Sequence, residues 1–223
     1  MAPAPSTRSY QLIWATPFAI FAHLLAIAVT TLVLVLLLHF REGFAFKADN
    51  KQKIFNLHPF LMVIGLILIG GEAIMAYKTV PGERSTRRGV HLILHAIALT
   101  AGILGIYIIF KFHHETGTTD MQSSHSWLGI ITISLYALQW VLGFFTYFFP
   151  RAEKTARATL LPWHTFVGMV IFLVAVVTAE TGLALLIGSA PLNSEGYIMN
   201  FTGLLILLYA ISVSLTVILP RRY

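Results

Sequence analysis

The chain has 223 residues, 57% of them hydrophobic and only 11% charged, with a mean hydropathy of +0.79. Soluble domains carry about 25% charged residues, so this composition points to a polytopic membrane protein. There is no cysteine, which excludes disulfides, iron–sulfur clusters, zinc–thiolate sites and thioether-linked haem. The net charge of +6 does not call for a nucleic-acid partner: the cations fall in short loops between apolar runs, where membrane topology and anionic headgroups account for them.

Six apolar runs are long enough to cross a bilayer at about 20 residues each. They lie near 17–39, 58–77, 90–110, 125–149, 161–188 and 199–219. The first is too long for a signal-peptide core and lacks a small-residue cleavage site, so it reads as a retained span. The breaks between runs leave no room for a soluble domain, and the expected fold is a single all-α membrane domain. On one side of the membrane fall Arg8, Lys78, Arg84, Arg87, Arg88, Arg151, Lys154, Arg157, Arg221 and Arg222; on the other only Arg41, Lys47, Lys51, Lys53 and Lys111. The excess predicts that both termini are cytosolic.

Ionisable side chains inside membrane spans are costly and imply a partner or a task. Four consecutive runs each carry a histidine near one mouth: His58, His91, His125 and His164. With the orientation above, His58 and His125 lie near the outer face, and His91 and His164 near the cytosolic face. At 1.5 Å rise per residue the two layers are about 20 Å apart. One pair per layer, on facing helices of a four-helix core, suits bis-imidazole ligation of a porphyrin iron.

Helical phase supports a shared interior. His125 shares its stripe with Gly129, Thr132, Tyr136, Gly143 and Tyr147; His91 with His95, Ala98, Gly102 and Gly105; His164 with Gly168, Ala175, Thr178 and Gly182. Such small residues either leave room for a bound group or simply let the helices approach closely. His95, one turn from His91, is an alternative ligand, a propionate partner or a packed core side chain, with a supporting role favoured. His23 stands alone in the first run and reads as structural. Glu72 lies on the His58 face of an ideal helix, near the cytosolic layer, whereas Glu180 points about 160° away from His164. A proton-coupled transporter with a His/Glu relay is the rival reading, but it predicts helices interrupted near the midplane, and here the prolines sit at span mouths. A purely structural subunit explains neither the histidine layers nor the cation clusters.

The segments Leu57-His58-Pro59 with Met62 and Gly65, Arg88 three residues before His91, Ser124-His125-Ser126-Trp127-Leu128-Gly129 and Arg157-Ala-Thr-Leu-Leu-Pro-Trp-His164 resemble the hallmarks of the ascorbate-dependent transmembrane cytochromes b561. His39-Phe40-Arg41-Glu42-Gly43 adds to the likeness, which is strongest toward the plant members. The resemblance implies two non-covalent haems b held by the second to fifth of six helices, one by His58 and His125 on the outer side and one by His91 and His164 on the cytosolic side. It implies a cytosolic ascorbate site at Arg84, Arg88, Arg157 and Tyr147, and an outer substrate site at Phe112 and His113. Lys78 and His95 take supporting places near the cytosolic haem. The implied activity is one-electron transfer from cytosolic ascorbate to monodehydroascorbate or a ferric chelate outside, in a homodimer of the vacuolar membrane. The chain departs from the family's usual pattern at Ser124, where Leu is common, and at Arg84 and Arg88, where plant members often carry lysine. The planar guanidinium keeps the charge but changes contact geometry.

Overall fold

The protein is described by a computed structural model over residues 15–188 and 193–220; Arg8, Arg221 and Arg222 of the charge pattern lie outside them. The elements among the described residues are all helices, with no strand. Six helices are long and apolar enough to cross a membrane: α1 Ala15–Phe40, α2 Lys51–Thr79, α3 Arg84–Thr116, α4 Ser124–Phe148, α5 Lys154–Gly188 and α6 Ser194–Ile218. The chain is thus a multi-pass integral membrane protein. Large apolar side chains such as Leu24, Ile27, Ile93 and Ile131 point outward, as a lipid-facing surface requires.

The helices run beyond the apolar sequence because polar residues continue a helix as readily as apolar ones. Pro162, expected to open a span, stands two turns inside α5, and Pro59 stands inside α2. Each removes one backbone N–H from its ladder. Only α4 starts beside its histidine: Ser123 caps it by accepting from the Ser126 N–H at 3.2 Å, which puts His125 in the first turn.

Neighbours in the fold are α2 with α3, α3 with α4, α4 with α5, and α5 with α2, which closes a four-helix ring; α6 lies across α2 and α5 with α1 against it. At mid-height one side chain from each ring helix, Leu66, Ala98, Tyr136 and Ile171, meets in a buried cluster. A larger apolar cluster joins α1, α2, α5 and α6 around Val29, Ile67, Met75, Phe172, Ile206 and Tyr209. The approach of α2 to α3 depends on Gly65, where an added Cβ would stand 2.4 Å from the Ala101 Cβ.

Directly after Pro59, residues Leu61–Leu68 form π-helical turns. A π-turn advances the chain by roughly 20° less per residue than an α-turn, so over this stretch the helix lags by about two-fifths of a turn. That lag overturns the expectation that Glu72 shares the His58 face. Glu72 faces α1 instead, with its carboxylate oxygens 3.0 and 2.9 Å from His23 Nδ1.

Candidate functional site

The four-helix ring holds two imidazole pairs. At the end where α2 and α4 begin, His58 and His125 face each other with ring centres 6.2 Å apart. At the end where α3 and α5 begin, His91 and His164 stand 6.3 Å apart. Two imidazole nitrogens each about 2 Å from one metal ion place their ring centres about 6 Å apart. Among the described residues no group of three metal-ligating side chains converges; facing pairs are the arrangement present.

Three of the four rings are anchored in the same way. Nδ1 of His58 donates to the Gly105 carbonyl at 2.9 Å, Nδ1 of His91 to Ala73 at 2.8 Å, and Nδ1 of His125 to Thr178 at 2.8 Å. A neutral imidazole has one proton, so an N–H fixed at Nδ1 leaves Nε2 as a lone-pair donor, the tautomer a metal needs. His164 differs, since its Nδ1 lies 3.1 Å from the side-chain amide of Gln139.

Glycines make room for these rings. A Cβ at Gly182 would lie 2.7 Å from His125 Cε1, and one at Gly143 would lie 3.0 Å from His164 Cε1. Gly102 and Gly105, in contrast, serve close packing against Ile133 and Met62. Around His58 and His125 a cavity of about 410 Å³ opens, lined mainly by apolar side chains including Met62, Leu66, Ile106 and Ile133, with Gly129 and Gly182 on its walls. The anchored tautomers, the ring spacing and this mainly apolar space fit an iron porphyrin. His95 packs edge-on to His91 at 4.4 Å, while its Nδ1 and the Tyr136 hydroxyl share a 2.5 Å hydrogen bond. That places His95 beside the pair rather than within it.

The basic face carries unsatisfied donors. Arg88 Nε, Arg157 Nε and the Tyr147 hydroxyl are buried with no hydrogen-bond partner. The Tyr147 ring lies 5.2 Å from His164. In the loop before α5, the positive charge of Arg157 first, then those of Arg88 and Arg84, hold the Arg151 guanidinium below its ordinary value. These arginines therefore form one patch. Buried donors left without acceptors cost about 1–3 kcal/mol each, and a polyoxygenated anion is the ligand class that satisfies them. Arg87 Nε donates to the Val80 carbonyl at 3.0 Å, and Lys78 Nζ to the Leu219 carbonyl at 2.6 Å, at the end of α6.

On the far face, Gly117 ends α3 in the left-handed conformation, φ 69°, and the chain folds back so that Asp120 accepts from His113 Nδ1 at 2.6 Å. His113 and Asp120 line the mouth of the His58/His125 cavity. Phe112 lies 5.9 Å from His113 and 5.3 Å from Phe55. The loop after α1 is tied down by Asn56, wholly buried, whose amide donates to the Arg41 and Gly43 carbonyls at 2.8 Å each, and by the Arg41–Glu195 ion pair at 2.6 Å.

Sequence reasoning missed Gln139, Asp120, Asn56 and the His23–Glu72 pair. A signal existed for Gln139, which lies three residues after Tyr136 and four before Gly143, on the His125 stripe. None existed for the other contacts, which depend on loop return and on the π-turns of α2. Glu180 turns away from the imidazole pairs as helical phase predicted: it packs toward Gly203 of α6, with Oε1 buried and unpartnered.

Comparison with known proteins places this arrangement. The sequence profile of the family described as eukaryotic cytochrome b561 matches residues 57–187, the span that carries all four paired histidines. A rice (Oryza sativa subsp. japonica) protein named "Probable ascorbate-specific transmembrane electron transporter 1" is 48% identical over 215 residues, 93% of this chain and 92% of its own. Transmembrane ascorbate ferrireductase 1 of Arabidopsis thaliana is 43% identical over 201 residues, 87% of this chain and 84% of its own. A transmembrane ascorbate-dependent reductase of sheep (Ovis aries) is 34% identical over 216 residues, 94% of this chain and 82% of its own. With the histidine-bearing helices matched as one block and relatives aligned along most of their length, the chain belongs to the cytochrome b561 family.

Proposed function

We propose that the protein is an ascorbate-dependent transmembrane oxidoreductase that accepts single electrons from ascorbate on the cytosolic side and delivers them to monodehydroascorbate or a ferric chelate on the other. The observation that carries this reading is the pair of facing imidazoles at 6.2 and 6.3 Å, one at each end of the four-helix ring. The names of the relatives support ascorbate as donor and electron transfer as the activity. Two haems b, when bound, supply a one-electron ferric/ferrous couple in each layer.

The chain's own residues bind and orient. His58 with His125, and His91 with His164, would hold the outer and cytosolic haem irons through Nε2, and the backbone carbonyls at Nδ1 of His58, His91 and His125 hold ring angle and tautomer. Arg88, Arg157 and Tyr147 offer their unpartnered donors to the ascorbate anion, and Arg84 adds positive potential that concentrates it. His95 and Tyr136 brace His91 from the interior side. Phe112 and His113 form the outer substrate site, with His113 held by Asp120. The positive-inside pattern supports the cytosolic placement of the basic face. Likeness to plant members favours residence in the vacuolar or another internal membrane, and membership of the family favours a homodimer.

The test is a visible spectrum of purified protein, followed by reduction in sided vesicles with monodehydroascorbate and ferric chelates compared as acceptors. The reading expects b-type bands that sharpen when ascorbate reduces the haem and fade when an acceptor across the membrane takes the electrons. Absence of haem from folded protein, or reduction by ascorbate from the outer side alone, sinks it.

A further inference from the structure

The anchoring of His164 is unlike that of the other three paired histidines. Their Nδ1 partners are backbone carbonyls, which accept a proton bond and have no other way to present themselves. The partner of His164 is the Gln139 amide, whose Nε2 lies 3.1 Å from Nδ1 and donates to the His164 carbonyl at 2.7 Å. Gly168 makes the niche: a Cβ there would stand 3.3 Å from Gln139 Nε2. The glycine that helical phase put on the His164 face thus leaves room for this amide.

An amide offers a donor on one edge and an acceptor on the other, and a half-turn about its last bond exchanges them without changing shape. With nitrogen toward Nδ1, the imidazole proton belongs on Nε2, the nitrogen that must bind iron. With oxygen toward Nδ1, the proton sits on Nδ1 and Nε2 is free; the amide then gives up its 2.7 Å bond to the His164 carbonyl and must turn away from that oxygen, since two acceptors cannot share the contact. We propose that Gln139 is the positioning residue of His164, turning its carbonyl oxygen to Nδ1–H when the cytosolic haem binds, and that this replaceable contact sets the redox poise of the cytosolic layer apart from the outer one. The inference rests on the two-haem reading above.

The sign follows from the hydrogen bond. An acceptor at Nδ1–H makes the imidazole a more basic ligand, which favours the ferric state and lowers the potential. Gln139→Met keeps the length of the side chain but removes the acceptor, so the cytosolic haem becomes easier to reduce. Gln139→Glu places a stronger acceptor there, so it becomes harder. Each shift is expected at about tenfold in the reduction equilibrium, about 59 mV for one electron, with the outer haem unmoved.

The measurement is an equilibrium redox titration of the full-length protein in detergent or nanodiscs, resolving the two components optically. Wild-type protein with a single titrating component would overturn the two-haem reading itself. Two components in wild type, with opposite displacements of one of them in the two variants, support the assignment. Shifts of the same sign, equal shifts of both haems, no shift, or loss of the cytosolic haem from both variants would mean that Gln139 only fills space. Where the Met variant fails to fold, the Glu variant decides alone: a downward displacement confined to one component supports the proposal, and any other result overturns it.

Discussion

The two imidazole pairs match in ring separation, 6.2 against 6.3 Å, but are built differently. The His58/His125 pair draws both anchors from the backbone and looks into an apolar cavity of about 410 Å³ that His113 and Asp120 also line. The His91/His164 pair draws one anchor from the backbone and one from a side chain, and its end of the ring carries Arg88, Arg157 and Tyr147 with unpartnered donors. Between them lies the Leu66–Ala98–Tyr136–Ile171 cluster. One ring spacing is therefore kept at both ends while the partners at Nδ1 and the surroundings of each pair differ.

The most severe break in this comparison is His125→Ala. On the proposed two-haem reading each layer takes its ligands from different helix ends, so the variant should keep about half the haem per protein and lose transmembrane transfer, as read by haem quantitation and vesicle flux. Loss of both haems from folded protein would show that the layers depend on each other. Next come the glycines opposite the rings. Gly182→Ala puts a Cβ 2.7 Å from His125 Cε1, and Gly143→Ala one at 3.0 Å from His164 Cε1. Outer haem retention should fall about tenfold or more in the first, within the range seen when the surroundings of a ligand are disturbed, and cytosolic retention less in the second. Haem transfer to apomyoglobin reads both, and the reverse order would contradict the closer fit of the outer ring.

A smaller effect is expected at the basic mouth. Hydrogen bonds to charged groups contribute about 1.5–3 kcal/mol, so Arg88→Ala or Arg157→Ala should slow haem reduction by ascorbate about tenfold and flatten its salt dependence. Stopped-flow traces with a small neutral reductant should barely change; equal slowing with both reductants points to a damaged haem pocket instead. The smallest effect belongs to the pair outside the ring. Glu72→Gln should cost about 0.6 kcal/mol of stability, the average for a polar contact between membrane helices, with both haems and the ascorbate rate intact. A changed cytosolic haem in that variant would tie the His23–Glu72 contact to the redox site.

Much of this organisation is legible in the sequence for a physical reason. Apolar length fixes the number of spans, and an imidazole in a membrane is expensive enough to announce itself, so His58, His91, His125 and His164 stand out from the order of residues alone. Stripes on the α-helical stretches of α4 and α5 hold good as well: Gly143 and Gly182 face the imidazoles where 100° per residue puts them on the ring's interior side. Phase fails on α2, where Pro59 is followed by π-turns and Glu72 swings toward α1. It is silent on Asp120 and Asn56, whose contacts are made by chain reversals that no periodicity encodes. Pro162 misleads because a proline tolerated inside a helix looks, in sequence, like one that starts it.

The π-turns of α2 also bear on how relatives of this protein should be aligned. One helix serves both layers, with the His58 side chain at one end and the Ala73 carbonyl, which anchors His91, at the other. In an ordinary α-helix, adding or deleting a residue between two such points would rotate one against the other by about 100°. A wide turn can absorb the change, since losing one residue converts it to an α-turn and leaves the flanking registers nearly in place. Length differences between lineages are normally assigned to loops. In this span, Leu61–Leu68 is where a gap inside the membrane is physically admissible, and an alignment that forces the gap outward would shift the carbonyl away from its imidazole.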